Sequence, residues 1–370
     1  LTGNISIPIQ ETFARFLVQS RNISNGEIQV DDVVIFNDNT DTFTFEKNSI
    51  VSTASTIVEV EGKTVNGSRN LVISPLDPNN DDIDIKVYKN HAYIVSEAAG
   101  HGIQVFDLTR LREVEPKQNF APDRVLKTVP TAHNIVVNPE SGYGYVVGTN
   151  RNDEYKGGVH FIDLNDPNSI RFVGGYGEAG YSHDAQVVNY KGPDLEYRDK
   201  EIFLGSNETK LVIVDVTDKE NPKKIAEESY PNVVYTHQGW FTEDQKYFIL
   251  GDELDESIIG GKTRTLVFDL TDLDKPQLYH TYFGTTDAID HNGYIKGDEF
   301  YLANYTAGIR LISINDLKNK NMTEIAFFDT FPEHNSNTFN GVWNVYPFFD
   351  SGVIVISDYD RGLFLVKKSN

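Results

Sequence analysis

The stretch YTHQGWFTEDQKYFILGDELDESIIGGKTRTLVFDLTDLDKP, residues 235–276, decides the fold because it holds one complete repeat of the chain. It contains three short runs rich in apolar, β-branched and aromatic residues: HQGWF from His237, KYFILGDE (246–253) and RTLVFDL (264–270). Polar turns separate the runs and no helical period is sustained, so they predict three β-strands. An Asp and a polar turn follow the third run, and Pro276 closes that turn.

The same unit recurs about every 50 residues along the chain. Its third strand returns as GIQVFDLTRL (102–111), GVHFIDLNDPNS (158–169), KLVIVDVTDKENP (210–222), GIRLISINDLKNK (308–320) and GLFLVKK (362–368). Its first strand opens with a polar pair that contains, at spacings of 50, 54 and 54 residues, His133, His183, His237 and His291. Short strands repeating at this period are typical of β-propeller blades.

The repeats predict an all-β protein, a β-propeller of seven four-stranded blades. Six repeats are clear over residues 81–370, and the runs between 26 and 78 form a degenerate first blade. The last repeat ends after its third strand, which would leave an unpaired edge, so FARFLVQS (13–20) is predicted to close the ring. Residues 1–80 then join the repeats in one compact domain, and a small separate β extension is the competing interpretation.

Composition excludes several classes of function. The 370 residues contain 33 Lys and Arg against 55 Asp and Glu, a formal net charge of −22, which disfavours nucleic acid and anionic membranes as partners. The chain has no cysteine, so disulfides, thiolate nucleophiles and zinc ribbons are absent. No apolar run is long enough to insert across a bilayer, and no nucleophile elbow, Walker loop or dinucleotide fingerprint occurs.

The unusual polar residues of the repeats converge on one face of the predicted disc. In a blade, the first strand runs along the central channel and the second returns antiparallel, so first-strand starts and second-strand ends share a face. We call this face the channel mouth. The residues predicted to bind a ligand there are Glu97, His133, Asn150, Asp184, Asn207, Glu253, Asn304 and Asp358.

The four histidines of the channel mouth are open to three interpretations. His133, His183, His237 and His291 are candidate ligands of a divalent metal such as Zn, Mn, Cu or Fe, with a carboxylate or Gln238 completing the coordination sphere. In an enzyme, His183 or His237 would instead be the base and Tyr235 or Tyr305 the acid. The third interpretation is that the imidazoles hydrogen-bond to neighbouring blades and close the ring.

Two acidic patterns have simpler explanations. The loop GDELDESIIGGKTR (251–264) offers Asp252, Glu253, Asp255 and Glu256, oxygen donors that suit Ca²⁺, but it lacks the spacing of an EF-hand and can equally be a solvated acidic loop. An Asp also follows the third strand of several repeats, where its side chain can accept hydrogen bonds from the next turn. These predicted turn caps are Asp107, Asp163, Asp215 and Asp269.

Longer segments carry a family resemblance. HNIVVNPESGYGYVVGTN, LVIVDVTDKENP, YTHQGWFTEDQKYFILGDELDE, AIDHNGYIKGDEFYLANYTAGIRLISINDL and GVWNVYPFFDSGVIVISDYDRGLFLV resemble the choice-of-anchor B family of LVIVD-repeat surface proteins over about residues 82–368. The resemblance implies a secreted or cell-surface propeller, which that family attaches through varied C-terminal anchors, and it brings no established activity. Six N-x-[ST] sequons agree with glycosylation only weakly, because an Asn-rich chain produces several by chance.

Together these observations predict an extracellular β-propeller that binds a ligand, with a divalent metal (Zn, Mn or Ca), at the channel mouth and acts in surface recognition or adhesion. The expected partner is a glycan or another surface ligand, since aromatic residues predicted near the mouth can stack on sugar rings. The first alternative is a metal-assisted polysaccharide lyase, with His183, His237 and Tyr235 as its catalytic residues. The second is a structural scaffold with a plugged channel.

Overall fold

The computed structural model describes residues 83–112 and 119–368, together with the backbone of seven short strands before residue 83. These strands are β1 (Ser6–Pro8), β2 (Ser20–Asn22), β3 (Ile28–Val30), β4 (Thr42–Glu46), β5 (Ile57–Val60), β6 (Lys63–Asn66) and β7 (Asn70–Leu71). Strands β1, β4, β5 and β6 pair in that order as an antiparallel sheet, and β2 pairs with β3.

Six antiparallel sheets follow one another between residues 83 and 368. The first sheet contains β8 (Ile83–Tyr88), β9 (His91–Ser96), β10 (Ile103–Asp107) and β12 (Arg124–Leu126). The second contains β13 (Asn134–Asn138), β14 (Tyr143–Val147), β15 (Val159–Asp163) and β16 (Arg171–Tyr176). The third contains β17 (Asp184–Asn189), β18 (Glu201–Ser206), β19 (Leu211–Asp215) and β20 (Lys223–Glu228). The short strand β11 (Asn119–Phe120) lies outside them and pairs in parallel with β7.

The last three sheets continue the pattern. The fourth sheet contains β21 (Thr236–Phe241), β22 (Tyr247–Asp252), β23 (Arg264–Asp269) and β24 (Gln277–Phe283). The fifth contains β25 (Gly293–Lys296), β26 (Glu299–Ala303), β27 (Ile309–Asp316) and β28 (Asn321–Phe328). The sixth contains β29 (Val342–Tyr346), β30 (Ile354–Asp358) and β31 (Gly362–Val366). One helical turn, α1 (Asp255–Ile258), lies between β22 and β23, and 3₁₀ turns span Leu108–Leu111, Pro167–Ser169 and Leu317–Asn319.

The sheets pack face to face as blades. The inner strands β8, β13, β17, β21, β25 and β29 each contact the next in this order, and an apolar cluster fills the space between successive blades. Between the second and third blades, for example, Tyr145 and Phe161 pack with Val187 and Phe203. Both faces of the middle strands are buried, which is why these strands read as continuous apolar runs.

The predicted all-β propeller is confirmed for the described residues, with four strands in five blades and three in the sixth. The predicted closing strand, 13–20, lies outside the described residues apart from Ser20, so ring closure stays a prediction. The degenerate first blade also stays one: β4 and β5 fall within it and pair, but the partners of β3 and β7 lie outside it. No helix in the described part of the chain is long and apolar enough to cross a membrane.

Polar side chains next to the channel join the inner strands of neighbouring blades. Asp84 Oδ2 accepts a hydrogen bond from the Ile135 amide at 2.9 Å, and Gln238 Oε1 accepts one from the Gly293 amide at 2.9 Å. Asn134 Nδ2 donates to Asp184 Oδ2 at 2.8 Å. The residues after His133, His183 and His237 thus tie neighbouring blades together, and Gln238, predicted as an additional metal ligand, has its side-chain oxygen engaged between blades.

The predicted turn caps are confirmed. In each case Oδ1 of the Asp accepts a hydrogen bond from the backbone amide two residues later. The pairs are Asp107 with Thr109 at 2.9 Å, Asp163 with Asn165 at 3.0 Å, Asp215 with Thr217 at 3.1 Å and Asp269 with Thr271 at 2.8 Å. These carboxylates lie on the face opposite the channel mouth, because each belongs to the last residue of a third strand.

Candidate metal centre

The four mouth histidines form a continuous row across consecutive blades. The ring centroids of His133 and His183 are 4.0 Å apart, those of His183 and His237 4.7 Å, and those of His237 and His291 4.4 Å. The His183 amide donates to the Ser206 carbonyl and the His291 amide to the Ala303 carbonyl, both at 2.9 Å. These bonds join first-strand starts to second-strand ends, so the predicted shared face is present.

Local backbone irregularities aim side chains into the row. The pairing of β21 with β22 shifts register between Thr236 and Gly239, which places His237 in a bulge. A similar shift in β29 surrounds Trp343, whose ring lies 4.5 Å from that of His291. Gly148 has a φ of +67°, and a Cβ there would lie 2.1 Å from the His133 Cβ, so only glycine leaves room for the first imidazole.

In three of the four imidazoles, Nδ1 contacts another group of the protein, which fixes the orientation of the ring. His133 Nδ1 lies 2.8 Å from Glu97 Oε1, His183 Nδ1 lies 3.0 Å from the Tyr235 hydroxyl, and His291 Nδ1 donates to the Trp343 carbonyl. Metal-ligating histidines almost always have this kind of outer partner, which fixes the ring and the tautomer. In His183 this arrangement leaves Nε2 as the atom that can bind a metal.

A carboxylate stands between the last two histidines. Glu253 Oε2 lies 3.6 Å from His237 Nε2, and Glu253 Oε1 lies 3.4 Å from His291 Nε2 and accepts the Tyr305 hydroxyl at 2.8 Å. Among the described residues, His183 Nε2 and His237 Nδ1 are buried without a hydrogen-bond partner. Buried polar atoms without a partner are costly, so these two nitrogens point to a ligand that completes the site.

Burial keeps three of the four imidazoles uncharged, those of His183, His237 and His291. It lowers the pKa of His183 and of His237 well below the usual value, and the neighbouring imidazoles lower both further. Burial also lowers the pKa of His291 to about 3, against the opposing effect of its bond to the Trp343 carbonyl. The neutral imidazole is the form that ligates a metal, so the three rings are in their ligating state at neutral pH.

The donor atoms fall into two overlapping groups. One donor each from His133, His183 and His237 lie within 4.8 Å of one another, and so do donors from His237, Glu253 and His291. Two nitrogens bound to one ion at about 2.1 Å are at most about 4.2 Å apart, so small side-chain adjustments bring either group to coordination distance. Three adjacent blades therefore suffice for a site.

Other predicted ligand-binding residues lie at the channel mouth, but their side chains are buried or hydrogen-bonded to other groups of the protein. Asp184 is buried beneath the row, where burial raises its pKa to about 6. Four others bond within their own loops or to neighbouring ones: Asn150 with the Asn152 amide, Asn207 with the Ser182 hydroxyl, Asn304 with the Ala288 and Ile289 carbonyls, and Asp358 with the Asp360 and Arg361 amides. Of the predicted set, Glu97 and Glu253 are the two carboxylates that contact histidines of the row.

Arg151 is a mouth residue that the sequence analysis missed. Its guanidinium lies 3.6 Å from the Tyr181 ring centroid and forms two hydrogen bonds with Glu208, at 2.7 and 3.0 Å. The positive charge contributes to the lowered pKa of His183. Arg151 lies in the loop that begins after the second strand, β14, ends at Val147, and this position near a second-strand end was the available signal.

Fold and site together define the class: a β-propeller with a histidine-lined channel mouth. No family model and no curated protein matches the chain. A solved structure of a protein from Lactobacillus plantarum is similar over 95% of this chain and 94% of its own, with a TM-score of 0.57 and 10% identity. The β-propeller domain of Cps50 (Swd1) from Myceliophteria thermophila is similar over 99% of this chain and 100% of its own, with a TM-score of 0.52 and 8% identity. These likenesses establish the fold alone, and the choice-of-anchor B resemblance stays a prediction.

Proposed function

We propose that this propeller binds a divalent transition metal in the histidine row and uses that metal to hold a polar ligand at the channel mouth. The observation that carries the proposal is the orientation of the rings. Nδ1 of His133, His183 and His291 has an outer partner, while His183 Nε2 and His237 Nδ1 are buried without one among the described residues. A row held only for packing would not leave two imidazole nitrogens unsatisfied.

Among the metals predicted from the sequence, the donor chemistry favours zinc, copper and iron over manganese and calcium. Neutral imidazole nitrogens with one carboxylate suit Zn, Cu, Fe and Ni, whereas Ca²⁺ and Mn²⁺ prefer oxygen donors. Glu253, between His237 and His291, is the carboxylate available. When bound, the ion would supply a Lewis-acidic position facing the channel opening, and the described side chains would orient it.

Aromatic groups beside the row support a ligand with flat or sugar-like surfaces. The rings of Trp343 and Tyr359 stack at 5.8 Å and 19°, and Phe339, 45% exposed, packs edge-on against Tyr305. We therefore propose a glycan or related surface ligand, in keeping with the predicted role in recognition or adhesion. The proposed location outside the cell depends on the family resemblance.

Elemental analysis of untagged protein, purified without chelator, tests the metal. We expect about one equivalent of transition metal in the wild type and its loss in the His183→Ala, His237→Ala double variant. His334→Ala, which removes an exposed histidine outside the row, is the matched control and should keep the metal. Less than one equivalent in the wild type, with none taken up on titration, would overturn the proposal. If the double variant then changed thermal stability alone, the scaffold interpretation would stand.

The contact between His183 and Tyr235 favours a second candidate, the polysaccharide lyase. His183 would remove the proton α to a uronate carboxylate, and Tyr235 would protonate the leaving sugar oxygen; burial raises the pKa of Tyr235, so its phenol keeps that proton. This role requires His183 to stay off the metal. Incubation with a panel of uronate polymers should produce ultraviolet absorbance that Tyr235→Phe abolishes, and no absorbance rise with any polymer would reject the lyase.

A further inference from the structure

His237 is common to both groups of donor atoms in the histidine row. It groups with His133 and His183 on one side and with Glu253 and His291 on the other, and within each group the donor atoms lie within 4.8 Å of one another. Its ring centroid is 4.7 Å from that of His183 and 4.4 Å from that of His291. His237 is 2% exposed, so this shared ring lies between the two groups and away from water.

The two nitrogens of His237 have different surroundings. Nε2 lies 3.6 Å from Glu253 Oε2, on the side of the second group. Nδ1 is buried without a hydrogen-bond partner among the described residues, as is Nε2 of His183, the neighbouring ring of the first group. An ion that the second group binds through Nε2 therefore leaves Nδ1 unsatisfied, which is costly for a buried nitrogen. Nδ1 is the atom that remains for the first group.

A single ion does not reach donors at both ends of the row. In the described part of the chain, no group of three or more donors within 4.8 Å contains both His133 and His291. Nitrogens bound to one ion at about 2.1 Å are at most about 4.2 Å apart. Filling both groups therefore takes two ions, and the two ions share His237 through different nitrogens.

Two neighbouring cations repel each other, and a carboxylate beside each group offsets this repulsion. Glu97 Oε1 lies 2.8 Å from His133 Nδ1, next to the first group. Glu253 belongs to the second group, where the Tyr305 hydroxyl donates to its Oε1 at 2.8 Å and holds the side chain in place. A bridging ring that has lost its N–H proton would add a further negative charge between the two ions.

We propose that the histidine row is a dinuclear centre in which His237 bridges two transition-metal ions as an imidazolate. The first ion takes donors from His133, His183 and His237 Nδ1, and the second from His237 Nε2, Glu253 and His291. The dinuclear centre rests on the proposed metal-binding function and extends it from one ion to two. A neutral imidazole carries one N–H, so the second ion to bind displaces that proton to solvent and takes the electron pair of the N–H bond.

Metal titration of chelator-treated, dialysed full-length protein counts the ions. With Zn²⁺ and calorimetry we expect saturation at two equivalents, the second of them beyond the one expected in purified protein. His133→Ala and His291→Ala should each saturate at one equivalent under the same conditions, because each removes a donor from one group alone. His334→Ala, at the exposed histidine outside the row, is the control and should still bind two.

Copper tests the bridge itself. Two Cu²⁺ ions joined by one imidazolate couple magnetically, so copper-saturated wild type should give an electron paramagnetic resonance signal well below that of its copper content. Copper-loaded His291→Ala should instead give the full signal of one isolated ion. His237→Ala removes a donor from both groups and should weaken Zn²⁺ binding at both positions at least tenfold.

The outcomes separate the dinuclear centre from the proposed function. Saturation of the wild type at one equivalent would overturn the dinuclear centre and leave the proposed function standing, whereas no metal binding at all would remove both. Two equivalents with the full copper signal would rule out the bridge, and so would two equivalents bound with undiminished affinity in His237→Ala.

Discussion

At the scale of single residues, the site depends on groups that hold the histidines more than on the histidines alone. Glu97 contacts His133 Nδ1, Tyr235 contacts His183 Nδ1 and the Trp343 carbonyl contacts His291 Nδ1. Each outer partner is of a different chemical kind, so no repeated motif marks them in the sequence. Their shared effect is to orient the ring whose other nitrogen would bind the metal.

Replacing Glu97 by Gln tests the outer partner of His133. The amide keeps the shape of the side chain but removes the negative charge that favours an Nδ1–H donor, so metal affinity should fall about 10- to 100-fold. Zinc titration by calorimetry measures it. The same change at the exposed Glu220 is the control, and an unaltered affinity in Glu97→Gln would show that His133 is not a ligand.

Gly148 tests the packing of the same imidazole. An added Cβ would meet the His133 Cβ at 2.1 Å and sits on a backbone with φ +67°, so Gly148→Ala should cost about 1–3 kcal/mol in unfolding free energy and weaken zinc binding. Gly352 has a similar φ of +74° with open space around it. Gly352→Ala should therefore show the cost of the backbone conformation alone. Equal zinc affinities for the two variants would show that the space at Gly148 is not needed to position the His133 ring.

At the scale of the structural element, adjacent residues of the inner strand have two different roles: one lies in the candidate metal centre and the next joins two blades. Within β21, His237 belongs to the candidate metal centre while the Gln238 side chain accepts a hydrogen bond from the Gly293 amide of the next blade. Alternation along a strand sends neighbouring side chains to different surroundings, and a bulge strengthens the separation here. At the end of β22, Asp252 likewise accepts hydrogen bonds from the Val234 and Tyr235 amides, whereas Glu253 faces the histidines.

Features that recur in every repeat could be predicted from the sequence. Contacts between residues of different repeats could not. The 50- to 54-residue spacing of the histidines predicted a shared mouth because equivalent residues of successive blades occupy equivalent places. The alternation signal also existed for Asp252 and Glu253, although the sequence analysis grouped them. Arg151 could not have been joined to Glu208 in this way, since their contact depends on how two blades pack and no local pattern records it.

Gln186 tests the inter-blade bonds as stabilising elements. Its Oε1 accepts the Phe241 amide at 2.9 Å, so Gln186→Leu leaves a buried N–H without an acceptor and should lower the unfolding free energy by about 1–3 kcal/mol. Urea unfolding measures the loss, and Gln277→Leu at an exposed strand end is the control. Equal stability of the two variants would mean that blade packing does not need this bond.

At the scale of the whole molecule, the propeller collects histidines that are distant in sequence and removes them from water together. Such a group makes the folded state poor at binding protons in mildly acidic solution, since burial lowers the pKa of His183, His237 and His291. A metal would add to this effect, because it competes with protons for the same nitrogens. A histidine outside the row is therefore the better probe of how burial alone affects stability.

His101 provides that probe. It is fully buried, with Nδ1 2.7 Å from the Gly102 carbonyl, and burial lowers its pKa below the usual 6.5. Between the two values the unfolded chain binds a proton that the folded chain does not, so stability should fall as pH drops from 7 toward 5. The slope contributed by this one group is at most about 1.4 kcal/mol per pH unit. In chelator-treated protein, His101→Asn should make the fall in unfolding free energy shallower by up to that amount. An identical pH slope in wild type and His101→Asn would show that His101 takes up its proton without unfolding.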